Sequence, residues 1–164
     1  MPTARELIEL LGLEPLPREG GYYRETYRSA RPVPSGTPGR DRSAGTAIYY
    51  LLTADTFSAL HRLPADEVYH FYLGSPVELL LLGPGGGGIV TLGTDLRAGQ
   101  RPQAVVPAGV WQGSCLAGGG DFALLGTTMA PGFDFSDYEP GDGDRLAREF
   151  PAFAGRIRRL TAPG

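Results

Sequence analysis

Both histidines of the chain, His61 and His70, fall in one short segment, FSALHRLPADEVYHFYLG, residues 57–74, together with Glu67 and Tyr69. An imidazole titrates near working pH and suits a general base or a metal ligand. A nearby carboxylate can orient it, and a phenol can supply a proton. Strand alternation groups His61 with Phe57, Ala59 and Leu63, and Glu67 with Tyr69 and Phe71. His70 then lies with Val68 and Tyr72, facing away from Glu67, where packing at a subunit contact is expected.

The remaining composition narrows the chemistry. There is no lysine among the fifteen basic residues, so a lysine Schiff base and a Walker-type phosphate lysine are excluded. A single cysteine, Cys115, forms no internal disulfide, and with no second thiol it reads as an inert, partly buried group. A formal charge of −3 and a pI near 5.4 leave no basic stripe for nucleic acid. The run Arg156, Arg158, Arg159 reads as a helix end. The apolar runs AIYYLL and VELLLL are much shorter than the roughly 20 residues that span a bilayer. The N-terminus is acidic and amphipathic, unlike a signal peptide. Neither a membrane nor a nucleic-acid partner is expected, and the cytoplasm is the expected location.

The elements around this segment read as short strands. Residues 3–12 form a helix pattern, with Thr3 as N-cap, Glu6 completing a capping box and Gly12 as the stop. GGYYRETYRS is β-compatible. RPVPSGTPGRDRSAG, with three prolines and three glycines, reads as a mobile surface loop. TAIYYLL, FSALHRL, EVYHFYL, PVELLLL, GIVTLG, QAVVPAG and DFALLGTTM follow at a spacing of about 10 residues, which predicts an antiparallel sandwich or barrel. Gly85–Gly88 lacks the Lys-Ser/Thr of a phosphate loop and reads as a hairpin. The tail GDGDRLAREFPAFAGRIRRL predicts one or two short helices, with Asp142 or Asp144 near an N-cap. We take residues 1–164 as one domain: a lead-in over 1–19, a barrel over 20–130 and an extension over 131–164. Glycine and proline, 25 and 15 residues, mark its turns.

The spacing His61, Leu63, Glu67, Gly74 resembles the first cupin motif, and Pro107, Gly109, Gln112 in PAGVWQ resembles the second. More narrowly, EGGYYRETYRS, TAIYYLL, FSALHR, DEVYHFYLG, VVPAGVWQG and PGFDF resemble the cupin-5 family, a domain of unknown function. The resemblance implies an all-β fold, an antiparallel jelly-roll barrel with a short N-terminal helix and short C-terminal helices. It also implies a homodimer.

Metal-binding cupins offer three histidines and one glutamate, whereas Leu63 and Gln112 stand at two of those histidine positions here. No cofactor is therefore expected. A weakly held divalent metal on His61, Glu67 and Gln112 is a lesser alternative. The deoxysugar epimerases of the superfamily imply another role, with His61 as a base beside a carbonyl and Tyr69 or Tyr49 as proton donor. Arg24 would pair with an anionic group of the ligand, while Glu67, Gln112, Trp111 and Asp134 would bind or orient it. The leading expectation is an isomerase-like barrel acting on a sugar, nucleotide-sugar or similar anionic metabolite. The alternative is a module that binds such a molecule without converting it.

Overall fold

A computed structural model describes residues 2–36 and 38–161. The chain opens with helix α1 (Ala4–Leu11), whose capping box between Thr3 and Glu6 is formed and whose end is set by Gly12 at φ 60°. Five strands follow: β1 (Glu14–Pro15), β2 (Tyr22–Arg28), β3 (Pro32–Pro34), β4 (Asp41–Ser43) and β5 (Thr46–Thr53). The central run comprises β6 (Ser58–Arg62), β7 (Glu67–Gly74), β8 (Val77–Gly83), β9 (Gly86–Leu92) and β10 (Gln103–Val106). Strands β11 (Trp111–Leu116), β12 (Phe122–Met129) and β13 (Glu139–Pro140) complete the sheets, and helices α2 (Gly143–Glu149) and α3 (Ala154–Arg159) close the described chain.

Every pairing between these strands is antiparallel. Six strands form one sheet in the order β1-β2-β5-β12-β7-β10, and five form another in the order β13-β6-β11-β8-β9. The inner faces meet in a core that joins Tyr50, Leu52, Tyr69 and Leu125 of the first sheet to Val77, Leu79 and Leu92 of the second. The outer face of the first sheet is covered by α1, through Leu7 against Leu51 and Leu124. Helices α2 and α3 cover the second, burying Leu146 and Ile157 against Leu60, Leu80 and Trp111. Period-two alternation explains both layers, because neighbouring residues such as Tyr50 and Leu51 serve opposite faces.

Two elements differ from the sequence reading. The segment WQGSCL is strand β11, buried along its whole length in the middle of its sheet. Its glycine and serine hide a strand that needs no polar alternation because both faces are covered. Part of the proline- and glycine-rich loop, expected to be mobile, is the β3–β4 hairpin. Arg42 in that hairpin grips the carboxylate of Asp137 at 2.6 and 2.7 Å. The glycine run does form a hairpin, with Gly83 opposite Gly86, and Asp142 is the N-cap of α2, accepting from the Arg145 N–H.

Candidate functional site

A cavity of about 480 Å³ opens against the six-stranded sheet, lined from β2, β5, β7 and β12, by Glu19 and Leu63, and by the segment Phe133–Phe135. Two β-bulges decide which side chains meet there. In β2 the register against β5 shifts between Glu25 and Tyr27, so Glu25 pairs with Ile48 and Arg28 with Thr46. Both partners line the cavity, and the extra residue brings Glu25 and Arg28 to one face. They form a two-pronged pair at 2.8 Å, and Arg28 also donates to the Phe133 carbonyl.

In β6 the register against β11 is likewise irregular: His61 lies opposite Gln112 and Ser58 opposite Ser114. Three residues on one strand therefore span two on the other, and Ser58 joins His61 on the inner side. This differs from the unbroken alternation of the sequence reading, which grouped His61 with Phe57 and Ala59. Ala59, inside the bulge, becomes a backbone hub. Its N–H donates to the Glu19 carbonyl at 2.8 Å, and its carbonyl accepts from the Nδ1–H of His61 at 2.7 Å.

The second contact fixes the histidine tautomer, since a carbonyl oxygen can only accept and Nδ1 must carry the proton. The neutral ring then keeps a lone pair at Nε2, which lies 3.9 Å from Oε2 of Glu19. His61 is 1% exposed and stacks on the Tyr138 ring at 4.9 Å, with the Arg18 guanidinium on that ring as well. It does not itself line the cavity, but Glu19, Leu63 and Glu67 do.

Glu19 is the functional candidate that sequence reasoning missed. It precedes two glycines at φ 96° and 74°, and this left-handed backbone turns the chain between the glutamate and β2. Its Oε1 accepts from the Ser58 hydroxyl at 2.7 Å. The Glu-Gly-Gly sequence before a strand was the available signal, but a loop residue has no periodicity to place it.

Glu67, 7% exposed, accepts at Oε2 from the Gln112 side-chain amide at 2.9 Å. Burial pushes its carboxyl above the ordinary range, and the like charge of Glu19 adds to the shift. His61, the Thr127 hydroxyl and the Gln112 amide oppose it. Oε1 of Gln112 is buried with no hydrogen-bond partner among the described residues. Tyr69, on the same inner face of β7, has its phenol held well above its usual pKa by burial and then by Glu67 and Glu19, so it stays protonated.

The structure buries His61, Glu67, Gln112 and Tyr69 inside the barrel, with His61 opposite Gln112 and Gln112 bonded to Glu67; of the four, Glu67 alone lines the cavity. Arg24 and Asp134 line the cavity, with Arg24 donating to the Leu11 carbonyl at 3.0 Å. Asp134 is held below the usual carboxylate range by the Ser136 hydroxyl and N–H. Two expected binding residues lie elsewhere. Tyr49 is on the outer face of β5, packed with the α1 cluster and edge-on to Tyr72 at 6.3 Å. Trp111 is on the outer face of β11 among the C-terminal helices, covered by Arg62 and Arg145. Each is the immediate neighbour of an inward residue, Tyr50 or Gln112, and alternation points it outward. His70 also faces out, bonded to Thr128 and Gln103.

A jelly-roll built of two facing antiparallel sheets, with a polar cluster at one end of its interior, defines the cupin class. The chain belongs to the Cupin superfamily (DUF985) family, whose sequence pattern matches residues 5–140. It is similar to protein SO0799 from Shewanella oneidensis, at 36% identity and a TM-score of 0.87 over 100% of both chains. A hypothetical protein from Leishmania major is 32% identical with a TM-score of 0.89, over 99% of this chain and 100% of that one. An uncharacterized protein of Saccharomyces cerevisiae, YML079W, is 33% identical over 134 residues, 74% of this chain and 67% of its own length. Among the described residues, no helix is long and apolar enough to cross a membrane.

The metal that the superfamily implies does not fit the residues present. Leu63 sets a hydrocarbon against the cavity, and Gln112 turns its N–H to Glu67 instead of offering a lone pair there. Among the described residues no three His, Cys, Asp or Glu side chains come together to hold an ion. Transition-metal sites need about three ligand atoms converging at roughly 2.0–2.2 Å for nitrogen and oxygen.

Proposed function

We propose that the barrel binds a small polar carbonyl compound and moves a proton on it, in the manner of an isomerase or epimerase. One observation carries this reading: the bond from His61 Nδ1 to the Ala59 carbonyl leaves Nε2 as the basic atom, 3.9 Å from the carboxylate of Glu19, which lines the cavity. His61 takes the proton adjacent to the carbonyl, and the imidazolium so formed is stabilised by the carboxylate at 3.9 Å. Tyr69, kept protonated by its surroundings, returns a proton. Glu67, held by the Gln112 side-chain amide, binds a polar group of the compound, and Tyr23, Phe133 and Phe135 flank its apolar part.

A sugar-like substrate accords with the cavity's size and mixed wall. An anionic group finds less support, because Arg28 is already paired with Glu25 and five carboxylates share the wall with two guanidinium groups. The test is solvent-deuterium incorporation into a panel of keto- and amino-sugars, followed by NMR. Incorporation by the unaltered protein, lost in His61→Gln, is expected; equal incorporation by the variant overturns the role of His61.

Binding without turnover is favoured by a different observation. The His61 ring lies under Tyr138 and is absent from the cavity wall. Under that reading, ligands raise the melting temperature by mass action, and no product forms with any of them.

A further inference from the structure

Arg18 is the one residue other than glycine, among those described, whose backbone lies in the left-handed region, at φ 68°. Across it the Glu19 N–H donates to the Pro17 carbonyl at 2.8 Å, closing a γ-turn of the rare, strained kind with a positive central φ. Glycine enters that region freely, and the next two residues, Gly20 and Gly21, are glycines that do so. An arginine held where a third glycine would be relaxed needs a contact that offsets the strain. That contact is the Tyr138 ring. The Arg18 guanidinium lies 4.9 Å from its centroid, and the Arg18 carbonyl accepts from its hydroxyl at 3.4 Å.

We infer that Arg18 is a positioning residue for His61, acting through Tyr138. The Tyr138 ring stacks on the imidazole with 19° between the two planes. The bond from Nδ1 to the Ala59 carbonyl anchors one edge of the imidazole, but a single hydrogen bond leaves the ring free to rock about it. A flat partner held against its face removes that freedom and keeps Nε2 on the Glu19 carboxylate, at 3.9 Å. A guanidinium is drawn to the negative face of a phenol ring, most strongly where water is scarce, and Tyr138 is 7% exposed. Two consecutive residues of one turn thus hold the imidazole. Glu19 faces its Nε2 edge, and Arg18 grips the ring that covers its face. The inference rests on His61 being the base proposed above, and it deepens that reading by naming what keeps the base aimed.

Arg18→Gly separates positioning from folding, because it removes the guanidinium and relaxes the turn in one step. The full-length variant is expected to melt at the same temperature as the unaltered protein or higher. His61, 1% exposed, meets diethyl pyrocarbonate only when its stack opens, while half-buried His70 on the outer face serves as the internal reference. Labelling of His61 relative to His70, read by mass spectrometry, is expected to be about fivefold faster in Arg18→Gly, the factor that one cation–π contact supplies. Tyr138→Phe, which keeps the ring and its stack, is expected to label like the unaltered protein. His61 labelling that is unchanged in Arg18→Gly, or raised only together with a fall in melting temperature, overturns the inference. So does Tyr138→Phe labelling as fast as Arg18→Gly. None of these readouts needs turnover, and deuterium incorporation decides separately whether His61 moves a proton.

Discussion

The imidazole of His61 and the carboxylate of Glu19 face each other across 3.9 Å, and a single residue sets both. Ala59 holds the Glu19 carbonyl with its N–H and the His61 Nδ1–H with its carbonyl. The bulge in β6 thus fixes a loop glutamate and a strand histidine against one backbone unit. Misplacing either element undoes the pair.

The turn that delivers Glu19 is expected to be intolerant of side chains. A Cβ at Gly20 would stand 2.5 Å from the Phe57 carbonyl at a φ of 96°. Gly20→Ala should cost about 1–3 kcal/mol in urea unfolding. Gly85→Ala, with open space around its Cβ, should stay within about 0.5 kcal/mol. Equal behaviour of the two variants would show that the turn is not constrained.

Burial of Glu67 makes a prediction with a definite sign. Its folded pKa lies above the ordinary value of 4.5, so the native state holds this proton more tightly than the unfolded chain. The contribution is present below the unfolded pKa and is lost as pH rises from about 4.5 through the folded value. Stability of the unaltered protein should therefore fall, relative to Glu67→Gln, over that window. Denaturant melts of both proteins at matched pH values check it. Parallel curves would mean that the carboxyl is not perturbed.

The C-terminal helices lie beyond residue 140, where the family match ends, yet Ile157 is fully buried against the outer face of the second sheet. Ile157→Ala is expected to cost about 2–5 kcal/mol by denaturant unfolding. A loss below about 0.5 kcal/mol, ordinary for a surface position, would show that α3 is peripheral to the fold.

The misfit for metal is itself testable. Introducing imidazole at both departed positions, Leu63→His with Gln112→His, supplies the nitrogen ligands that first-row ions favour. The double variant should take up about one zinc or manganese per chain by elemental analysis, and more tightly than the unaltered protein. Equal affinity in the two proteins would contradict the donor-set argument.

Strand periodicity in the sequence carries the barrel, the inward Glu67 and Tyr69 and the outward His70, because alternation survives wherever one face is buried. It does not carry the bulges. Each inserts one residue and reverses the faces beyond it, which is how Arg28 and Ser58 come inward. Strand β11 was hidden for the opposite reason, since covering on both sides removes any polar alternation. Alternation sets Tyr49 and Trp111 on the faces opposite Tyr50 and Gln112, and the structure packs both in the outer clusters. Glu19 lies on a two-glycine turn, where no period applies.

The proposed proton transfer depends on the protonation of one ring, and with two histidines in the chain that ring can be observed directly. Long-range proton–nitrogen NMR of the ¹⁵N-labelled protein, with His70→Gln to assign the signals, reads the tautomer of His61 in its neutral form. The Nδ1–H tautomer, with an unprotonated Nε2, is expected. An Nε2–H tautomer would leave no base facing Glu19 and would contradict the proposed proton transfer.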